Sequence, residues 1–236
     1  SITLSDPPEL TVDSNGYNLP TTGSLAANHL TQWGVETAGN WQNFYGQAGY
    51  YGFQVDRAPV AFATPSGTQI VTPANNNFSA WYAQATWILT GESRLYNAAT
   101  GAFTPPRVAH PLDLNGGGFG AFELALRYSD TNLNDHVLSG VNIITAASGA
   151  SRTYDYYNTV RGGDQRILTA GINWYPNNAI RFALNYELIQ NSKLQSGTTQ
   201  NALTGLVVTT TGTPSLPAVN AGQNLSAVAL RAQLSF

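Results

Sequence analysis

The sequence predicts an all-β fold, a transmembrane antiparallel β-barrel, and three observations carry that prediction. Apolar and polar residues alternate with period two in stretch after stretch, while helical periodicity is hard to find. Charged residues make up only 10% of the chain, against roughly 25% in an average soluble protein, which leaves a surface poorly protected in water. No run approaches the roughly 18 to 20 apolar residues that a membrane helix needs. In lipid every backbone polar group must find a partner inside the protein, so a low-charge chain without a spanning helix is left with the closed barrel.

The strands follow in chain order. A first is placed around "PPELTVD" (7–13). "LTQWGVETA" sets Thr31, Trp33, Val35 and Thr37 against Gln32, Gly34 and Glu36. "NFYGQAGYYGF" (43–53) carries aromatics on both faces, so its facing stays open. "WYAQATWIL" opposes Trp81, Ala83, Ala85, Trp87 and Leu89 to Tyr82, Gln84 and Thr86. "FELALRYS" opposes Phe122, Leu124, Leu126 and Tyr128 to Glu123, Ala125, Arg127 and Ser129. In "RILTAGINWY", Leu168, Ala170, Ile172 and Trp174 face away from Thr169, Gly171, Asn173 and Tyr175. "AIRFALNYELI" sets Ile180, Phe182, Leu184, Tyr186 and Leu188 against Arg181, Ala183, Asn185 and Glu187. The last, "SAVALRAQLSF", alternates Val228, Leu230, Ala232, Leu234 and Phe236 with small or polar residues, Arg231 among them. These are about eight strands of about 8 to 12 residues, the length a tilted membrane strand needs.

The connections separate a membrane barrel from a soluble β-sandwich. With the C-terminal Phe236 at the periplasmic rim, residues 191–224, 130–163 and 57–77 become long, polar extracellular loops, and "PNNA" (176–179) and "AGNW" (38–41) short periplasmic turns. Such asymmetry is the barrel pattern. Residues 90–118 break it: they are long yet fall on the periplasmic side. Trp174 and Tyr175, just before the "PNN" turn, occupy a position suited to an aromatic girdle, and Tyr128, Tyr186 and Phe236 fit a rim. No repeat or linker divides residues 1–236, which are read as a single transmembrane domain. The formal net charge of −3 gives no general attraction to nucleic acid.

The inner face carries the chemistry. Candidate lining residues are Arg127, Arg181 and Arg231, with Arg166 near a strand end, and the acids Glu36, Glu123 and Glu187. Arginine suits phosphate because its planar fork bonds two oxygens at once and stays charged. The acids stand on the same faces, four residues from Arg127 and six from Arg181, so pairing across the wall competes with contact to a permeating anion. Catalysis is not expected: His29, His110 and His136 lie in or near loops, and His136 beside Asp135 is better read as solvated. Asp130, Asn132 and Asp135 offer hard oxygens in a spacing that a polar loop explains better than a metal does. No cofactor is expected.

Several long segments occur in order: "WILTGESRLYNAATGAF", "GFGAFELALRYSDTNLND", "GGDQRILTAGINWYPNNAIRFALNYE" and the Phe-terminated strand. This series is similar to the C-terminal half of the phosphate-selective porin O/P family, and "WGVETAGNWQNFYGQAGYYGFQVDR" extends the likeness upstream. The resemblance implies a Gram-negative outer-membrane porin. It further implies a homotrimer of barrels of about 16 strands each, embedded in lipid. Small hydrophilic solutes would diffuse through passively, with anions such as phosphate favoured. The chain is then the later portion of a longer porin. The family's phosphate selectivity rests largely on basic residues of its earlier half, whereas this chain has one lysine, Lys193, so none of those ligands is carried over. The competing expectation is a small structural or adhesive barrel that closes on its own strands and holds no open pore.

Overall fold

The computed structural model describes residues 1–9, 20–64, 67–137, 160–195, 219–220 and 222–235. Long strands dominate: β1 (Ala27–Trp41), β2 (Phe44–Arg57), β5 (Asn76–Ile88), β8 (Ala121–Asp135), β9 (Val160–Tyr175), β10 (Ile180–Ser192) and β13 (Gln223–Leu234). Short hairpins lie between them, β3 (Val60–Thr64) with β4 (Gly67–Val71), β6 (Tyr96–Asn97) with β7 (Ala102–Phe103), and β11 (Leu194–Gln195) with β12 (Val219–Asn220). The long strands form one antiparallel sheet in the order β1-β2-β5-β8-β9-β10-β13. Each pairs with its sequence neighbours, as a meander does. Among the described residues, β1 and β13 each have a partner on one side only, so the sheet is open.

Seven long strands stand where about eight were expected. The described part of the first expected strand, Pro7–Glu9, is not a strand. Two adjacent prolines there offer no ladder N–H. The rest of that stretch, and Phe236, lie outside the described residues.

The sheet's polarity is inverted relative to a water-soluble fold. Residues paired across strands share a face, so the register sorts the side chains. One face runs Thr37, Ala48, Ala83, Tyr128, Leu168, Leu188 and Ser226 in one row. The row beside it, nearer the short turns, carries Ala85, Leu126, Ala170, Tyr186 and Val228. Large apolar side chains on this face stand open: Trp33 is 54% exposed, Leu126 54% and Leu230 79%. The opposite face buries polar groups, with Glu123 at 0% exposure, Gln165 at 1%, Glu187 at 3% and Asn173 at 4%. A sandwich buries its apolar face and wets the other. An uncovered apolar face this extensive marks contact with lipid or protein.

Aromatic pairs mark both ends of the apolar face. Near the short turns Phe44 stacks on Trp87 at 5.5 Å, and Trp174 stacks between Phe122 and Phe182 at 6.0 and 5.6 Å. Toward the long loops Trp33 meets Tyr50 at 5.5 Å and Trp81 meets Tyr128 at 5.2 Å. Tyr175 does not join them. Successive residues of a strand point to opposite faces, so Tyr175 turns to the polar face and is buried there.

Because the two faces see different surroundings, the adjacent changes Leu184→Arg and Asn185→Arg should differ sharply. For protein folded into lipid vesicles, denaturant unfolding should show a loss of about 2–4 kcal/mol for Leu184→Arg, the cost of a cation on a lipid face. Asn185→Arg should cost less than half as much. Equal costs would contradict the assignment of faces.

Candidate functional site

The polar face is the candidate site, and two inward-lying segments complete it. Residues 1–9 run against it, tied by bridges from Ile2 to Leu25 and from Ser5 to Thr21. The Thr21 amide donates to Gly162 O at 2.8 Å, and Lys193 Nζ donates to Thr21 O at 3.1 Å. Leu4 packs there on a buried cluster of Leu25, Val55, Phe78, Leu133 and Val160. At the other end of the strands the 90–118 stretch folds back over the same face. Val108 packs with Ala121 and Tyr175, and the Val108 amide donates to Asn178 Oδ1 at 2.8 Å. The length that departed from the loop pattern is thus spent inside the fold.

Charges on this face are matched mostly from those segments. Arg94, from the "GESR" turn, donates to the fully buried Glu123, which also accepts from Asn173 Nδ2 at 3.0 Å and Tyr175 Oη at 2.9 Å. Gly120 makes room for this corner: it sits at φ 79°, and a Cβ there would lie 2.3 Å from Tyr175 O. Arg127 donates through Nε to Glu9 at 2.9 Å and through Nη1 to Gln84 at 3.1 Å, and it lies 4.3 Å from the Tyr82 ring centre. Ser129 donates to the same Glu9 carboxylate at 3.0 Å. Glu36 accepts from the hydroxyls of Tyr51 and Tyr82, the latter at 2.6 Å. Gly49, directly opposite Tyr82 in the register, lets that ring lie flat, since a Cβ there would meet Tyr82 Cε1 at 2.6 Å.

Six of the seven sequence candidates therefore share the polar face: Glu36, Glu123, Arg127, Arg181, Glu187 and Arg231. The expected wall pairs do not form. Glu123 bonds Arg94 rather than Arg127, and Arg181 donates to Asn173 Oδ1 at 2.9 Å instead of reaching Glu187. Glu187 is buried with its Oε2 unbonded among the described residues. Arg166 is on the other face. It shares parity with Leu168 and Ile172 and pairs with Asp130 at 3.3 Å. Asp135 is occupied elsewhere: its Oδ2 accepts from the Asn77 amide at 2.9 Å and contacts His136 at 2.8 Å. With Asp130 on the apolar face, Asp130, Asn132 and Asp135 do not converge.

Arg181 and Arg231 stand apart from the other guanidinium groups of this face. They occupy neighbouring strands two residues apart in register, with Arg181 opposite Gln233 and Arg231 opposite Ala183. Diagonal neighbours of this kind lie about 7–8 Å apart. Among the described residues neither has a carboxylate partner.

The profile of a family described as "Phosphate-selective porin O and P" matches residues 1–210 of the chain. An uncharacterized protein of Caulobacter vibrioides is 31% identical over 121 residues, covering 51% of this chain and 19% of that protein. The match thus spans about a fifth of that relative's length.

Two outcomes follow from this geometry. Glu123→Ala would strand the Arg94 guanidinium in a dry corner, a loss of about 3–5 kcal/mol, and should open the 90–118 stretch to trypsin at Arg94. Burial raises the Asp6 carboxyl above its ordinary range, although hydrogen bonds from Thr131 and Gln165 pull it down. The docked state then binds the proton more tightly than the free segment does. Docking of residues 1–9 should be fully favoured below the ordinary Asp value and weaken as pH rises through the raised one. Deuterium uptake over that segment, corrected for intrinsic rate, should show this dependence, and Asp6→Asn should abolish it.

Proposed function

From the premise that the chain belongs to the phosphate-selective porin O and P family, we propose that its polar face is the inner wall of an outer-membrane diffusion channel. Small hydrophilic solutes pass along it without reaction or energy input, and anions such as phosphate are favoured. The wall is part of a barrel closed by further strands beyond β1 and β13, in a trimer set in the lipid of a Gram-negative outer membrane. The observation that carries the anion preference is the Arg181 and Arg231 pair on the polar side, with no carboxylate partner among the described residues. Arginines in a pore lining favour anions. The preference is modest, because Arg94 and Arg127 are already neutralised by Glu123 and Glu9. The open edges of the sheet speak against a small barrel that closes and fills itself.

Planar bilayers test this. The full-length protein should give stable open steps, with a reversal potential in a salt gradient that indicates anion preference. Arg181→Gln combined with Arg231→Gln should reduce the anion-to-cation permeability ratio by about three- to tenfold with the steps still open, as loss of two nearby charges in a wet pore would. A pore that passes cations better than phosphate would overturn the anion preference, and a protein that never opens would overturn the channel.

A further inference from the structure

A cavity of about 750 Å³ lies between the turn end of β1 and β2 and the β6–β7 hairpin. Its volume is that of a small-molecule site. Glu36, Tyr45, Gln47, Tyr96 and Phe103 line it. The rings form a chain: Tyr45 meets Phe103 edge-on at 5.1 Å, and Phe103 meets Tyr96 at 5.2 Å with 59° between planes. Tyr96 is 59% exposed, so ring surface is open to a ligand.

The polar groups are half used. Gln47 Oε1 accepts from Tyr45 Oη and Gln84 Nε2, both at 2.8 Å, and its Nε2 donates to Tyr82 Oη at 2.7 Å. An amide nitrogen carries two N–H groups, so one has no partner among the described residues. Glu36 Oε1 takes both tyrosine hydroxyls, and Oε2 accepts nothing among the described residues. A spare donor and a spare acceptor thus stand beside an aromatic platform.

The charges decide the class of ligand. An oxyanion is disfavoured, because the ionisable acid of the lining is Glu36 and the nearest guanidinium groups, Arg94 and Arg127, are taken by Glu123 and Glu9. A cation is disfavoured too, since the Arg94 guanidinium already lies 5.3 Å from the Tyr45 ring centre. A neutral ring with hydroxyls fits both halves: its C–H face lies on an aromatic ring while its hydroxyls donate to the carboxylate and accept from the amide.

We propose that this cavity binds a neutral polyhydroxylated ring, a sugar unit, on the platform of Tyr96 and Phe103 with Glu36 and Gln47 holding its hydroxyls. The proposal rests on the reading of the polar face as a channel wall.

Isothermal titration of the full-length protein folded in detergent tests it, with maltotriose, inorganic phosphate and tetramethylammonium as separate probes. Maltotriose should bind in the millimolar range. Tyr96→Ala should weaken it about tenfold, the loss of one stacked ring, while Tyr96→Phe leaves it intact. Glu36→Gln should weaken it severalfold, and phosphate should not compete. Absence of maltotriose binding, binding that ignores Tyr96→Ala, or tighter binding of either ion at these residues would overturn the site. Conductance of the same preparations separates the two readings. A silent protein that binds maltotriose through Tyr96 keeps the site and loses the channel, and an open channel indifferent to maltotriose loses only the site.

Discussion

A β-strand has two faces, and neighbouring side chains cannot share one. When every second residue is apolar over a long strand, the sheet must separate two media, and register makes the separation continuous from strand to strand. Here Leu126, Ala170, Tyr186 and Val228 fall in one row, and Arg127, Thr169 and Glu187 fall in a row on the reverse. A slip of one residue anywhere would carry Glu187 or Arg127 onto the apolar face. The cost of a charge on the apolar face therefore fixes the pairing of the whole sheet, and the hydrogen-bonded ladder follows from it.

The same separation creates a second problem, which the connecting segments solve. Acids and arginines on the polar face are partly shielded from water by the segments lying on it. A buried charge needs a partner. The wall does not supply most of these. Arg94 comes from the "GESR" turn to meet Glu123, and Glu9 comes from the N-terminal stretch to meet Arg127. Each pair joins residues far apart in sequence, 29 positions in one case and 118 in the other. Electrostatic neutralisation thus doubles as the fastening of both segments.

Local pattern made the strands and their faces legible. Alternation assigned Glu123, Arg127, Arg181 and Glu187 to one side because parity alone decides it. Arg166 was legible too, since it is two residues from Leu168 and parity puts both on the apolar face. Partners were not legible. Arg94 lies outside any alternating run and Glu9 within a stretch expected as a strand, and nothing local announces that they turn inward. The excess length of 90–118 was one sign: a long connection where a short one suffices has to go somewhere. Glycine was a second sign. Gly34 and Gly49 face Tyr51 and Tyr82 directly in the register, so the aromatics on both faces of "GQAGYYGF" reflect rings laid over glycines on one side and an exposed row on the other.

Neutralisation also redistributes what the wall can recognise. Where a segment delivers a counter-charge, the arginine beneath it becomes a structural tie and offers little to an anion. Toward β1 and β2 the guanidinium groups are consumed in this way, and tyrosine hydroxyls satisfy Glu36 in place of a cation. What remains accessible there is aromatic surface with amide and carboxylate edges. Toward β10 and β13, Arg181 and Arg231 have no carboxylate partner among the described residues. The two ends of one sheet thus offer different chemistry although their strands obey the same alternation, because the difference lies in which stretches of chain fold back over them.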